Sequence, residues 1–191
     1  MVSNPLKQQV SFINELEKLK TVLRANRTLD GRFENTAEHS WHVAVMGLVL
    51  QPHAQCELDM AKVTKLLLLH DVVEIDAGDT WLFAEDQSSK RANESAAAHR
   101  IFGLLPQEQA LEFSDLWREF ENRSSEEAKF AAAIDAISPL LNHLLTGRSD
   151  EGVIPAETVR QKKAFISACV PSLWPLVERL IEESTSSGLY V

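Results

Sequence analysis

Cysteine is nearly missing from this 191-residue chain: Cys56 and Cys169 are the only two, far apart and in no metal-ligand spacing. That argues against both a thiolate metal site and a disulfide framework, and the pair reads as reduced thiols in a cytoplasmic protein. Long apolar runs are also missing; none approaches the roughly 20 residues that a membrane-spanning helix needs. The first 20 residues are amphipathic and mixed in charge, without the apolar stretch of a secretion signal. Positive charge is in short supply: 19 Lys and Arg against 28 Asp and Glu leave a net charge of −9, which speaks against a nucleic acid polymer as partner. The same balance leaves a small phosphorylated substrate open, because a few arginines in one cleft outweigh the global sign locally. Glycine and proline number seven each and stand mostly between apolar-periodic segments.

Those segments have helical period almost throughout, and no convincing strand pair is found. The expected fold class is all-α, one compact multi-helix domain over residues 1–191. Asn4-Pro5 supplies a cap and a first-turn proline, and Phe12, Ile13, Leu16, Leu19, Val22 and Leu23 continue as one apolar stripe. Residues 26–35 read as a loop. Thr36 is the expected N-cap of a helix reaching about His53, and a third helix spans about 59–76, stopping near Gly78. Further helices are expected over about 90–104, 106–122, 126–145, 155–169 and 172–183, the third of these opened by a capping box in Ser124-Ser125-Glu126-Glu127. The tail from Ser184 onward reads as frayed.

The chemistry concentrates around His70-Asp71, which closes the apolar run 66–69. An imidazole and a carboxylate at the end of a buried stretch are costly to desolvate without a partner, and a divalent metal satisfies both. His39 lies upstream in an apolar helix and Asp135 downstream, in Ala133-Ile134-Asp135-Ala136-Ile137. Glu74 follows His70 at i+4 and Asp71 at i+3, hence on the same helix face, and Asp79 comes just past Gly78. Two imidazoles and two carboxylates suit Mn, Fe, Co, Zn or Mg better than a sulfur-seeking ion. On an octahedral ion they leave two positions for water and a substrate oxygen. Pro139 lacks the N–H that would bond to the carbonyl of Asp135, so a kink is expected beside that carboxylate. Taken singly, each residue has a bland reading as a hydrogen-bonded core histidine, a carboxylate paired with an arginine or a solvated helix end. The ordered set points to a metal.

Two stretches carry a resemblance. Glu34-Asn35-Thr36-Ala37-Glu38-His39-Ser40-Trp41-His42 and Leu69-His70-Asp71-Val72-Val73-Glu74-Ile75-Asp76-Ala77-Gly78-Asp79-Thr80, with a lone Asp135 later, resemble the HD-domain metal-dependent phosphohydrolases. The likeness is greatest to the branch holding bacterial 5'-deoxynucleotidases. It implies His39, His70, Asp71 and Asp135 as ligands of one divalent ion, with Glu74 beside the attacking water or leaving group and Asp79 on the substrate sugar. It implies phosphate-binding arginines before the first histidine, where Arg24, Arg27 and Arg32 stand. No tryptophan follows any of these arginines, a departure from the Arg-Trp pair of that branch. His99 is the only histidine between His70 and Asp135, fewer than two-metal members carry, so one ion is expected.

The activity implied is hydrolysis of a phosphomonoester, with a (deoxy)nucleoside monophosphate as substrate and a homodimer as assembly. Three alternatives stand beside it. One is a phosphatase or pyrophosphohydrolase acting on another small phosphorylated metabolite. Another is a non-catalytic nucleotide sensor, for which a retained Glu74 has no use. The last is an HD-type oxygenase, which wants two irons and more histidines. Trp41, Trp117 and Trp174 read as core or interface residues, whereas Trp81, two residues after Asp79, is a candidate pocket wall.

Overall fold

A computed structural model of the chain describes residues 3–79, 90–148 and 154–191. Pro5 stands in the first turn of α1 (Asn4–Leu16), as its fixed φ favours, and Phe12 is the position this helix buries. The apolar stripe does not stay helical to residue 23. After α1 the chain tightens into a 3-10 segment, Glu17–Thr21, and Val22 turns out of it into extended backbone. There β1 (Leu23–Arg27) pairs antiparallel with β2 (Phe33–Asn35) in an irregular register that sets Leu23 opposite Asn35 and Arg27 opposite Phe33. The expected loop over 26–35 is therefore largely a hairpin, turned at Gly31 in the left-handed region (φ 88°). Two hydrogen bonds brace it: Thr36 N–H donates to the Val22 carbonyl at 3.0 Å, and the Asn142 side-chain Nδ2 donates to the Arg27 carbonyl at 2.9 Å.

α2 (Thr36–Leu50) is capped by Asn35, one residue earlier than expected. The Asn35 side chain accepts from Glu38 N–H at 3.0 Å and the Glu38 carboxylate accepts from Asn35 N–H at 3.3 Å, a reciprocal box. A 3-10 turn, Gln51–His53, follows. Asp59 caps α3 (Met60–Leu69) by accepting from the N–H groups of Ala61 and Lys62. The third helix does not run unbroken to residue 76: the chain turns at residues 70–73, re-forms a single turn as α4 (Glu74–Ala77) and stops at Gly78 with φ 74°. α5 (Lys90–Phe102) and α6 (Gln107–Asn122) follow, the latter ending on Arg123 in the left-handed conformation. Ser125 caps α7 (Glu126–Thr146) by accepting from Ala128 N–H at 3.1 Å; no reciprocal glutamate completes a box. α7 continues through Pro139. α8 (Ala156–Lys163), α9 (Phe165–Cys169) and α10 (Trp174–Ser186) complete the all-α arrangement.

Buried alanines at 128, 131, 132, 133 and 136 let other elements approach α7 closely, and it packs against α2, α3, α6, α9, α10 and β1. One apolar core forms around it and includes Leu66 and Leu67; a second gathers Phe12, Leu19, Ile101 and Phe102 with Val72 and Val73. His70-Asp71 thus falls at the seam where the chain passes from one core to the other. The terminal segment is not frayed. Leu189 and Tyr190 are buried, Tyr190 bridges Ile154 in parallel, and Ile154 and Ala156 exchange backbone hydrogen bonds with Val191 at 3.1 and 2.7 Å. No described helix is long and apolar enough to cross a membrane.

Candidate metal centre

The capping box fixes the rotation of α2, and His39, one turn beyond Asn35, is fully buried as a result. Its Nε2 lies 2.9 Å from Asp135 Oδ1 and 3.8 Å from Asp71 Oδ2. His70, where α3 gives out, has Nδ1 2.9 Å from the Leu67 carbonyl. A carbonyl only accepts, so Nδ1 carries the proton and Nε2 offers its lone pair. That Nε2 is buried without a hydrogen bond, 3.1 Å from Asp71 Oδ2 and 3.5 Å from Asp135 Oδ1. Ligand atoms of His39, His70 and Asp135 all lie within 4.8 Å of one another. The break after Leu69 answers the geometric problem of neighbouring residues, whose side chains diverge by about 100° on a regular helix: leaving the helix lets both reach one point.

Lone pairs of one imidazole and two carboxylates that face each other repel unless a cation lies among them. This donor set therefore fits a divalent ion of the borderline or hard kind. Without it, protons serve: Asp71 and Asp135 hold His70 well above the ordinary imidazole range although burial alone would lower it. Burial likewise resists the charge of Asp71, but His70 and Arg24 keep its carboxyl well below the usual range.

Glu74 sits behind this set on α4, buried, with Thr36 Oγ1 donating to its Oε2 at 2.8 Å. Burial, then repulsion from Asp71, pushes its carboxyl up to about 9, with Arg24 opposing. Of the three candidate arginines, the structure brings one to the site. Arg24, on β1, donates from Nη1 to Asp71 Oδ2 at 2.9 Å and lies 3.7 Å from Glu74 and 3.6 Å from Asp79. Arg27 instead covers the Phe33 ring at 4.4 Å and bonds to the Gly31 carbonyl, and Arg32 pairs with Glu38 at the surface. Alternation along the strand sends Arg24 inward, while Arg27 and Arg32 brace the hairpin and the helix cap.

The site opens into a cleft of about 590 Å³ whose lining includes Arg24, Asp71, Glu74, Asp79 and Asp135. Four further residues were not foreseen. Glu34 is buried with Oε2 3.8 Å from both Arg24 Nε and His39 Nδ1, two nitrogens that lack hydrogen bonds. Lys163 of α8 and the stacked pair His143 and Tyr190, ring centroids 5.3 Å apart, also line the cleft. Burial pushes the Lys163 ammonium down to about 8 and the Tyr190 phenol up to about 12. Glu34 has a sequence signal in its place before the Asn35 cap; Lys163 reads as an ordinary basic last turn. Trp117 is buried and Trp41 is 65% exposed; Trp81 lies outside the described residues.

Residues 16–174 match the HD domain family. The 5'-deoxynucleotidase HDDC2 of Homo sapiens is 30% identical over 137 residues, 69% of this chain; the match spans 65% of that protein, just under two thirds of its length. The same-named Xenopus laevis protein is 28% identical over 72% of this chain and 69% of its own. In structure, a "predicted metal-dependent phosphohydrolase" from Magnetospirillum magnetotacticum MS-1 superposes over the whole of both chains with a TM-score of 0.91 at 39% identity. The HD-domain phosphohydrolase lin2634 of Listeria innocua shares the fold, with a TM-score of 0.60 at 16% identity over 93% of this chain and 86% of its own. With His39, His70-Asp71 and Asp135 converging at the base of one cleft, the chain belongs to the HD-domain family of metal-dependent phosphohydrolases.

Proposed function

We propose that this protein hydrolyses the 5'-phosphate of (deoxy)nucleoside monophosphates. The observation that carries the reading is the buried, unbonded Nε2 of His70 facing two carboxylates and His39 at the base of an open cleft. His39, His70, Asp71 and Asp135 would hold one divalent ion, with Mn, Co, Mg, Fe and Zn as candidates. Bound there, the ion offsets phosphoryl charge and lowers the pKa of a water. Arg24 offers its guanidinium to the phosphoryl oxygens and, as a neighbour of Asp71, Glu74 and Asp79, is held in place before substrate arrives. Glu74, kept rigid by Thr36, is the proton-transfer group: its Oε atoms take a proton from the attacking water or return one to the leaving oxygen. Asp79, at the cleft edge, would accept from a sugar hydroxyl. The 5'-deoxynucleotidase name of the curated relatives supports the substrate class.

A homodimer in the cytoplasm completes the reading. Trp41, Val45, Leu48 and Val49 leave an exposed apolar stripe along α2, and both cysteines are free. A phosphate-release screen with each metal against ribo- and deoxynucleoside monophosphates, triphosphates and sugar phosphates tests the activity. Glu74→Gln should retain the metal and substrate affinity while kcat falls by at least about 100-fold. Normal turnover by that variant would remove Glu74 from the mechanism. Tight nucleotide binding without turnover under any metal would favour the sensor.

A further inference from the structure

Lys163 is the last residue of α8 and lies on the cleft wall with 6% of its surface exposed, whereas its neighbour Lys162 is exposed. Buried lysines ordinarily have an anion in contact, because an unpaired ammonium loses hydration and gains nothing. Among the described residues Lys163 makes no hydrogen bond or ion pair; the negative charge that acts on it is that of Asp135, opposed by Lys162, Arg24 and Arg123. Asp135, in turn, is engaged with both imidazoles. A dication held by those side chains uses up the charge of Asp135, and Lys163 then faces the cleft with no local counter-ion. Glu94 and Glu121 also line the cleft, but neither is among the charges that act most strongly on Lys163, and Lys90 lies 3.5 Å from Glu94. The chain thus keeps a costly, uncompensated cation in the lining of the same cleft as Arg24. A tetrahedral anion with several outward oxygens is the ligand that such an arrangement would hold.

We propose that Lys163 is a second phosphate-binding cation, contacting a non-bridging oxygen of the substrate phosphate from α8 while Arg24 reaches it from β1. The identity of that phosphate rests on the phosphomonoesterase reading; the anion site does not. The test is calorimetric titration of the metal-loaded protein with inorganic phosphate, for the unsubstituted chain, Lys163→Met and Lys163→Gln. Substitution should weaken phosphate binding roughly 10- to 100-fold, the value of a charge-assisted contact. Metal stoichiometry should be unchanged, and in the hydrolysis assay KM should rise more than kcat falls. A second measurement needs no variant: saturating phosphate should protect Lys163, but not Lys18, which is exposed and away from the cleft, from reductive methylation read by peptide mass spectrometry. Phosphate affinity equal to that of the unsubstituted protein in both variants, or a Lys163 that phosphate leaves unprotected, overturns the assignment. If no phosphomonoester is hydrolysed yet substitution abolishes phosphate binding, the hydrolase reading falls and this site stands. If hydrolysis proceeds and the variants keep normal KM and phosphate affinity, only this inference falls.

Discussion

Replacing Tyr190 by alanine should destabilise the protein by about 3 kcal/mol, a large effect for a residue one place from the end of the sequence. Tyr190 is 5% exposed and stacks on His143. A buried tyrosine removes on the order of 150–200 Å² from water, about 4 kcal/mol at ~25 cal/mol per Å². Alanine restores about a quarter of that, and loss of the stacked ring costs roughly 0.5–1.5 kcal/mol more. Water that fills the widened cleft returns part of the penalty, because the ring lines an open space rather than a sealed core. For a chain of this size about 3 kcal/mol corresponds to a fall in Tm of roughly 6–12 °C. Thermal unfolding followed by circular dichroism reads this directly. Tyr190→Phe is the control: no side chain among the described residues bonds the hydroxyl, so its Tm should stay within about 2 °C. If Tyr190→Ala melts within about 2 °C of the unsubstituted protein, the terminal segment is not docked and the wall it forms does not exist in solution.

Asp135→Ala should drop bound metal from one equivalent to none by elemental analysis. It should also remove the stabilisation that metal gives, about 2.7 kcal/mol at a hundredfold excess over Kd. In metal-free protein, Lys163 adds a pH dependence: its folded pKa of about 8 lies below the unfolded 10.5. The full penalty is present below about pH 8 and fades as pH rises towards 10.5, because the unfolded chain then holds the proton that the folded one has released. Lys163→Met should therefore be more stable than the unsubstituted protein by about 3 kcal/mol near neutrality, with the gap closing over that window in urea titrations; a constant gap would contradict the shift. Asn35→Ala removes the box at the head of α2 and should cost about 1 kcal/mol by the same titration.

The helical frame could be read from the sequence because local rules govern it. Pro5, Asp59 and Pro106 mark helix starts by dihedral or capping chemistry that needs no distant partner. The hairpin could not, since Leu-Arg-Ala-Asn-Arg alternates over only four residues and has no β-branched side chain, and its pairing depends on braces from Val22 and Asn142. Asn35 and Thr36 are both cap formers, and what decides between them is Glu38, three residues from Asn35 but two from Thr36. The docking of the tail has no local signal because its partner, Ile154, is 36 residues away from Tyr190 in sequence. His39, His70, Asp71 and Asp135 stood out because each is a costly polar group in apolar surroundings. Lys163 is costly in the same way, but Gln-Lys-Lys at a helix end is what any solvated last turn looks like; only tertiary burial separates it from Lys162.

The hairpin joins two jobs in a few residues: β1 delivers Arg24, and β2 runs through Glu34 into the cap that sets the angle of His39. Its turn, by contrast, points away, with Leu29 and Arg32 exposed and nothing pressing on Gly31. Residues 28–31 can therefore drift in composition among descendants of this chain without moving the reactive centre, so long as Arg32 keeps its hold on Glu38 and, through it, on the head of α2.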